Sequence, residues 1–306
     1  MVLLTVVESI FIMGILILFG YVLYKKQIIT TDVERAFTFI LLNIAVPALV
    51  LNAFHIDYSH EMLMDGLFVM GLGTIHVLVI MGINYFLVRR VSDPGRRKIL
   101  YLTGVLNNAG FMGFPVINQV FGPLGTFYAS MLYIPFILLL WTYGISLFFD
   151  KITKREIKQM FLNANMIAVY AGLIIFVFSI SIPRMGVNLI QSIGSLTTPL
   201  SMFIIGARIG RVKLREVFND KMVYYGSFIR LILAPLLLLI YLVFSDLDPV
   251  IKGVCLIYAA LPAPAITVVL ANQFNIGADF ASKMVVVTHL LSLFTIPILF
   301  AILEFI

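Results

Sequence analysis

The sequence contains one cysteine, one tryptophan and four histidines among its 306 residues. The single cysteine, Cys255, excludes an intrachain disulfide and any metal site built from several thiolates. Charged residues make up only 12% of the chain and hydrophobic residues 61%, with a mean hydropathy of +1.08. This composition excludes an ordinary water-soluble globule, because too few polar side chains remain to cover its surface. The chain is therefore predicted to lie in a membrane.

Motifs of catalysis are missing as well. The segment His60 to Leu63 reads HEML and lacks the second histidine of a zinc protease, and the apolar stretches contain no Gly-x-Ser-x-Gly motif and no paired aspartates. We therefore expect neither enzyme activity nor a cofactor. The net charge of +6 would favour nucleic acid in a soluble protein, but these basic residues lie between apolar stretches, where they indicate membrane topology. We expect no nucleic-acid partner.

Long apolar stretches dominate the rest of the chain. Ten of them are long enough to cross the hydrocarbon core, which takes about 20 helical residues. The predicted spans, numbered 1 to 10, cover residues 3–24, 33–54, 66–88, 99–121, 125–149, 163–182, 186–207, 222–244, 251–273 and 280–303. No basic segment precedes the first stretch and no small-residue cleavage pattern follows it, so we expect a retained helix and not a signal peptide.

The basic residues divide unevenly between the connections. If the chain alternates sides, 18 of the 21 Lys and Arg residues fall on one face, whereas Arg184 and Lys252 lie on the other and Arg230 lies within a span. Connections rich in Lys and Arg stay in the cytoplasm. We therefore expect a multi-pass protein of the plasma membrane whose N and C termini are both extracytoplasmic.

Ten crossings divide naturally into two halves of five, residues 1–150 and 151–306. An odd number of crossings turns the second half upside down relative to the first, which is the inverted-repeat plan of many secondary transporters. A shift of 153 residues, which aligns Phe121 with Phe274, gives weak support for such a repeat. The polar segment 150–160 would connect the halves.

Two spans are interrupted near their middles. Span 4 contains NNAGFMGFP, Asn107 to Pro115, and span 9 contains LPAPAIT, Leu261 to Thr267. Proline removes a backbone donor, and a free carbonyl survives in a membrane only where protein or a watery cavity satisfies it. Breaks at corresponding places of two halves indicate a transporter's binding site, where half-helix N-termini attract an anion. A packing face of small residues is the alternative.

The candidate binding residues come from both breaks. Amides would supply donors and acceptors, and the glycines would allow close backbone approach. The predicted set is Asn107, Asn108, Gly110, Gly113, Pro115, Pro262, Pro264, Ala265 and Thr267. No carboxylate lies between the ends of spans 4 and 9, which disfavours proton coupling through a buried acid. Sodium coupling, with the ion held by freed carbonyls and amides, and uncoupled transport both stay open.

Ionisable and polar residues in the other spans are interpreted one by one. Glu8 and Arg230 lie within about two turns of their span ends, so we expect both to reach the interface. His76 and His289 are expected to be hydrogen-bonded packing residues, with a proton relay as the alternative. Asn43, near a proline in span 2, is expected to belong to a kink, with a place along the substrate path as the alternative.

The stretch NNAGFMGFPV resembles the fourth-helix signature of the auxin efflux carrier family, an Asn-x-Gly-x-x-Gly-x-Pro pattern that covers Asn108, Gly110, Gly113 and Pro115. The stretches FILLNIAVPALVL, RLILAPLL and LPAPAITVVLANQF resemble the second, eighth and ninth helices of that family, so the resemblance extends over the whole chain. Ile266 stands where many members have an asparagine. The chain also lacks the long cytoplasmic loop of many plant members.

The resemblance implies an all-α membrane protein with ten helices in two inverted five-helix repeats, in which the broken helices 4 and 9 cross. It also implies a scaffold of helices 1, 2, 6 and 7, a transport domain of helices 3–5 and 8–10, a homodimer formed through the scaffold, and elevator-type alternating access. Family members include plant auxin exporters and bacterial permeases for malate or malonate. The implied substrate is thus a small organic anion, a dicarboxylate or an auxin-like acid. An anion channel and a ligand-binding membrane sensor without transport are the alternatives.

Overall fold

The computed structural model describes residues 2–148, 158, 161–212, 217 and 219–305. These residues form helices and connections and include no β-strand. Seven helical segments of the described chain are long and apolar enough to cross a membrane, judged by length and composition, and shorter apolar helices accompany them. The all-α membrane class is therefore confirmed. The predicted connection at 150–160 lies outside the described residues, apart from Lys158.

Helices lie within all ten predicted spans, several of them in pieces. Their bounds are α1 (Val2–Lys25), α2 (Thr31–Ile40), α3 (Val46–Phe54), α4 (His60–Val88), α5 (Pro94–Val105), α6 (Phe114–Leu139), α7 (Ala164–Val177), α8 (Arg184–Gly194), α9 (Thr197–Arg211), α10 (Lys221–Phe228), α11 (Ala234–Val243), α12 (Pro249–Ala260), α13 (Ile266–Gln273) and α14 (Ala278–Phe305). Short π-helical turns adjoin some of these helices, at Leu41–Ala45, Ala109–Gly113, Leu140–Gly144 and Ile229–Leu233.

Several helices begin after a residue whose side chain accepts a hydrogen bond from an N–H group of the first turn. These capping residues are Thr30, Ser59, Asp93, Asn163, Asp220 and Asp248. The first N–H groups of a helix have no intrahelical acceptor, so each cap satisfies one of them. The caps thereby define where the chain leaves a connection and enters a helix.

The chain bends sharply inside α6. Gly122 has φ 61° and ψ −151°, a backbone conformation that glycine adopts readily. The Oγ1 atom of Thr126 donates a hydrogen bond to Oδ1 of Asn118 at 3.1 Å. Eight residues of a straight helix span about 12 Å, which is too far for this bond, so the two arms of α6 are bent towards each other at Gly122.

Features of the first broken segment recur later in the chain at a constant spacing. Asp93 caps α5 and Asp248 caps α12, and each stands directly before a proline. Gly122 and Gly277 have φ values of 61° and 59°, and each follows the half-helix that comes after a break. Asp248 lies 155 residues after Asp93, as Gly277 does after Gly122. The spacing of these features is therefore two residues longer than the shift of 153 used in the sequence comparison.

Helix packing brings α1 against α9, and α3 against α7 and α8. Elsewhere α4 packs against α6, and α12 contacts α6, α11 and α14. Glycine permits the closest of these approaches: a Cβ on Gly20 would lie 2.6 Å from Cα of Phe203, and a Cβ on Gly206 would lie 2.7 Å from N of Tyr21. Small residues at a helix crossing allow such backbone contact in membranes.

Candidate functional site

The first helix break lies in the stretch that the sequence singled out in span 4. Helix α5 ends at Val105, residues 106–108 are not helical, and the helix resumes in the π-helical turn Ala109–Gly113. Pro115 follows this turn directly at the start of α6. A π-helical turn shifts the backbone bonding by one residue, which helps to accommodate the N–H group that proline lacks.

The second break separates α12 from α13. The five residues Leu261–Ala265 are not helical, and Leu261 has the extended conformation that a following proline imposes. Pro262 and Pro264 cannot donate backbone hydrogen bonds across this segment. The first break comes very close, because a Cβ on Gly113 would lie 2.7 Å from Cδ1 of Leu261. A side chain at position 113 would therefore displace the Leu261 methyl group, and the predicted role of Gly113 in binding stays a prediction.

The amides of Asn107 and Asn108 join the two breaks. Nδ2 of Asn107 donates to the carbonyl oxygen of Tyr258 at 2.7 Å, near the end of α12. Oδ1 of Asn108 accepts a hydrogen bond from the N–H group of Ala265 at 3.4 Å. Both asparagines are buried. The structure thus brings predicted residues of spans 4 and 9 together at one place.

Helix α14 supports this meeting point through two polar side chains. Nδ2 of Asn108 donates to Nε2 of His289 at 2.7 Å, and Nδ1 of His289 lies 2.7 Å from the carbonyl oxygen of Val285. A neutral imidazole with its proton on Nδ1 satisfies both contacts. The N–H group of Ala263 donates to Oγ1 of Thr288 at 3.1 Å. His289 is therefore a buried hydrogen-bonded residue, as expected, and its partner is a candidate binding residue.

Arg230 lies in the π-helical turn Ile229–Leu233 and is 2% exposed. Its Nε donates to the carbonyl oxygen of Leu261 at 2.9 Å and its Nη1 to that of Val105 at 3.1 Å, while Nη2 donates to that of Ala259. The guanidinium thus binds the carbonyl ends of both first half-helices, α5 and α12, where a cation also opposes the negative end of each helix dipole. The expectation that Arg230 reaches the interface is wrong, because the two breaks offer it acceptors in the interior.

A cleft of about 220 Å³ opens beside the meeting point of the breaks. Its lining combines amides with aromatic rings: Asn43, Asn107, Asn108, Asn163 and Asn165, and Phe111, Tyr133, Phe136 and Trp141. No charged side chain of the described residues lines it. Oδ1 of Asn107, Oδ1 of Asn165 and Nε1 of Trp141 are buried and have no hydrogen-bond partner among the residues the structure describes. The cleft is therefore neutral and partly apolar, and three residues of its lining each carry a buried polar atom without a partner among the described residues.

Some of the predicted binding residues line this cleft and others do not. The lining contains Asn107, Asn108, Gly110 and Pro264. The remaining five are buried in or beside the two breaks and are not part of the lining: Gly113, Pro115, Pro262, Ala265 and Thr267. Prolines and small residues decide the local course of the backbone, so these five residues shape the breaks themselves.

The cleft also contains residues that the sequence analysis missed or interpreted differently. Asn43 lies in a π-helical turn, which is an irregularity of the helix, and it also lines the cleft. Its place along a substrate path stays a prediction. Asn163 and Asn165 stand at the start of α7, where Nδ2 of Asn165 donates to the hydroxyl of Tyr133 at 3.4 Å. Two amides at the start of an apolar span are a usable signal. The sequence carried no such signal for Trp141, because only the packing of neighbouring helices shows which face of its helix borders the cleft.

The other two ionisable residues lie away from the cleft. His76 is half-buried and lines a cavity of about 40 Å³ together with Arg230 and Tyr258. This cavity is too small for an organic substrate and has room for about one water molecule. Glu8 is exposed on α1. Neither residue contributes to the cleft lining.

Replacing Arg230 with methionine is expected to lower the thermal unfolding temperature of the detergent-solubilised protein strongly. The carbonyls of Val105, Ala259 and Leu261 would lose their donor, and each buried polar group left unpaired costs about 1–3 kcal/mol. Arg230→Lys should fall between methionine and wild type, because a compact ammonium cannot reach three divergent carbonyls as a guanidinium does. The exposed Arg184→Met serves as control. An Arg230→Met protein as stable as wild type would show that the breaks do not depend on this cation.

Comparison with known proteins agrees with this picture. The family model described as membrane transport protein matches residues 5–300. An uncharacterized transporter of Methanothermobacter thermautotrophicus is 23% identical over 302 residues, which covers 95% of this chain and 96% of the relative. The uncharacterized transporter MJ1031 of Methanocaldococcus jannaschii is 22% identical over 306 residues, with the same two coverages. The matched family consists of membrane transporters and is not an enzyme family. The chain belongs to the membrane transport protein family, the family of auxin efflux carriers that its fourth-helix signature predicted.

Proposed function

We propose that the protein is a secondary transporter that moves a small organic anion, a carboxylate, across the plasma membrane. The cleft at the two helix breaks carries this proposal. The second half-helices begin beside it, since Gly110 and Ile266 of their first turns belong to its lining. Free N–H groups and the helix dipole make such ends electropositive. Arg230 neutralises only the negative ends of the first half-helices, so the field in the cleft favours an anion.

The polar atoms of the cleft support a carboxylate that also carries a hydrogen-bond donor. Nε1 of Trp141 is an unused donor, which suits a carboxylate oxygen. Oδ1 of Asn107 is an acceptor without a partner among the described residues, while Nδ2 of the same amide donates to the carbonyl of Tyr258. A substrate hydroxyl or ring N–H group would satisfy this acceptor. The volume of about 220 Å³ exceeds the ~150 Å³ of a cavity that holds benzene.

The same proposal includes ten crossings in two inverted repeats, 1–150 and 151–306, with helices 4 and 9 broken and crossed. The constant spacing of 155 residues from Asp93 to Asp248 and from Gly122 to Gly277 supports the repeat. The odd number of crossings in each half supplies the inversion. The distribution of basic residues supports extracytoplasmic termini.

Many helix contacts fall within two groups of spans, and contacts of α3 with α6 and of α1 with α14 join the two groups. Helix α1 packs on α9, and α3 packs on α7 and α8. These contacts join spans 1, 2, 6 and 7, which form the proposed scaffold. Contacts of α4 with α6 and of α12 with α11 and α14 join spans 3–5 and 8–10, the proposed transport domain. We propose that the second group slides against the first in elevator-type alternating access, and that the scaffold also forms a homodimer.

Asn108→Asp is expected to lower the rate of saturable carboxylate uptake at least tenfold, because it places a negative charge beside the proposed anion site with almost no change of shape. The measurement is uptake of radiolabelled malate, malonate, succinate and indole-3-acetate into proteoliposomes. Asn188→Asp, on the exposed face of α8, is the matched control for an added charge. Uptake that persists in Asn108→Asp would remove the site from the helix breaks. Flux far above carrier turnover would indicate a channel, and saturable binding without flux a sensor.

Malate is expected to be transported with a KM at least about fivefold lower than succinate, which differs only by lacking the hydroxyl. Succinate would leave Oδ1 of Asn107 buried and unpaired, at a cost of about 1 kcal/mol or more. Competition between the two acids for uptake of labelled malate measures the ratio. Equal inhibition constants would mean that Oδ1 of Asn107 does not contact substrate.

Uptake is expected to be independent of sodium. Three of the carbonyls that the breaks free, those of Val105, Ala259 and Leu261, would suit a coupling sodium ion, and Arg230 already binds all three. Replacing sodium by potassium or N-methylglucamine in the uptake medium should therefore leave the rate unchanged. A rate that rises with an inward sodium gradient would place a cation site elsewhere and contradict this prediction.

A further inference from the structure

A second cavity of about 550 Å³, which we call the vestibule, lies between α2, the end of α9, α13 and α14. Leu42 and Asn43 line both the vestibule and the cleft. Both residues belong to the π-helical turn Leu41–Ala45, so a single turn of the chain borders the two cavities. The two cavities therefore adjoin at this turn.

We propose that the vestibule is a second anion-binding site, from which the carboxylate substrate passes into the cleft. This inference rests on the proposed function and adds a site that the helix breaks do not contain. The vestibule differs from the cleft in being charged, since Arg35, Arg208, Arg211 and Glu34 line it and give the described part of its lining a net charge of +2. A concave surface of one sign with apolar walls focuses the electric field and raises the local concentration of counter-ions.

The vestibule already holds a carboxylate of the protein itself. Oε1 of Glu34 lies 2.9 Å from Nε of Arg208, and Oε2 lies 2.5 Å from Nη2 of Arg211. The Glu34 side chain is 9% exposed, whereas that of Arg211 is 42% exposed. Nε and Nη1 of Arg211 are not part of this ion pair, so they can bind a second carboxylate from the solvent side. Glu34 thus sets how much positive charge the vestibule offers to a solute.

Arg208 connects the vestibule to both helix breaks. Its Nη1 donates to the carbonyl oxygen of Ala265 at 3.3 Å, at the end of the second break. Its guanidinium carbon lies 5.2 Å from the ring centre of Phe111, in the first π-helical turn after the other break. An anion bound beside Arg208 and Arg211 is therefore adjacent to the half-helices whose electropositive ends line the cleft.

The test compares two variants that break the same ion pair and change the charge of the vestibule in opposite directions. Arg211→Gln lowers the net charge of the lining to about +1 and should raise the KM for malate uptake about three- to fivefold, whereas Glu34→Gln raises it to about +3 and should lower the KM by a similar factor. KM does not depend on how much protein is folded and active. Both effects should shrink at high ionic strength, because salt screens partly exposed charges.

A merely structural ion pair predicts something different: both variants would lose stability and maximal rate with KM unchanged, and that outcome overturns the vestibule site. Arg184→Gln, exposed on α8, controls for the change in total charge. Assays in phosphatidylcholine vesicles with and without phosphatidylglycerol separate free substrate from a lipid headgroup. Opposite KM shifts that persist in neutral vesicles support the site, and shifts seen only with the anionic lipid overturn it. A wild-type protein without saturable malate flux would overturn the proposed function and this site together.

Discussion

A buried guanidinium binds three carbonyl groups at which two membrane helices end. In hydrocarbon an unpaired carbonyl costs several kcal/mol, so neither α5 nor α12 could stop halfway without a donor. A lone cation at that depth is also unfavourable, and the structure shows no carboxylate paired with Arg230 within its described residues. The carbonyl groups stabilise the charge of Arg230, and the guanidinium supplies the donors that these carbonyl groups would otherwise lack. Proline and glycine interrupt the two helices, and this one contact stabilises the helix ends that the interruptions leave in the interior.

The same contact separates the electrostatics of the two kinds of half-helix. The negative ends of α5 and α12 face Arg230, whereas the starts of the second half-helices, near Gly110 and Ile266, face the cleft. In the proposed transporter the cleft attracts an anion without a charged side chain in its described lining, through amides, an indole and backbone dipoles. Neutral donors bind an anion less tightly than an arginine pair does, which suits a site that must also release its ligand. Charged side chains line the vestibule, which shares Leu42 and Asn43 with the cleft.

Local chemistry predicted the breaks but not what surrounds them. Proline and glycine act on their own stretch of backbone, so the interruptions at Asn107–Pro115 and Leu261–Thr267 could be read from the sequence. The spacing that supports the proposed repeat was also present in the sequence, since Asp93 and Asp248 each precede a proline 155 residues apart, but the comparison at a shift of 153 residues did not find it. Arg230 was wrongly predicted to reach the interface, because distance from a helix end indicates depth in the membrane only for a side chain that faces lipid. For a side chain that is buried against another helix, this distance does not indicate where the charged group lies.

By itself the sequence determined that this chain lies in a membrane, which stretches are long and apolar enough to cross it, and where two of them break, because hydropathy, proline and charge act within a single segment. Only the tertiary structure decided which residues share the cleft. Asn107 meets Tyr258, Asn108 meets His289, and Arg230 meets Val105 across more than 100 residues of chain. Such pairs depend on how each helix is rotated about its axis and which neighbour it packs against. In a chain where nearly every helix face is apolar, hydropathy does not specify that rotation, and the few buried hydrogen bonds between helices fix it instead.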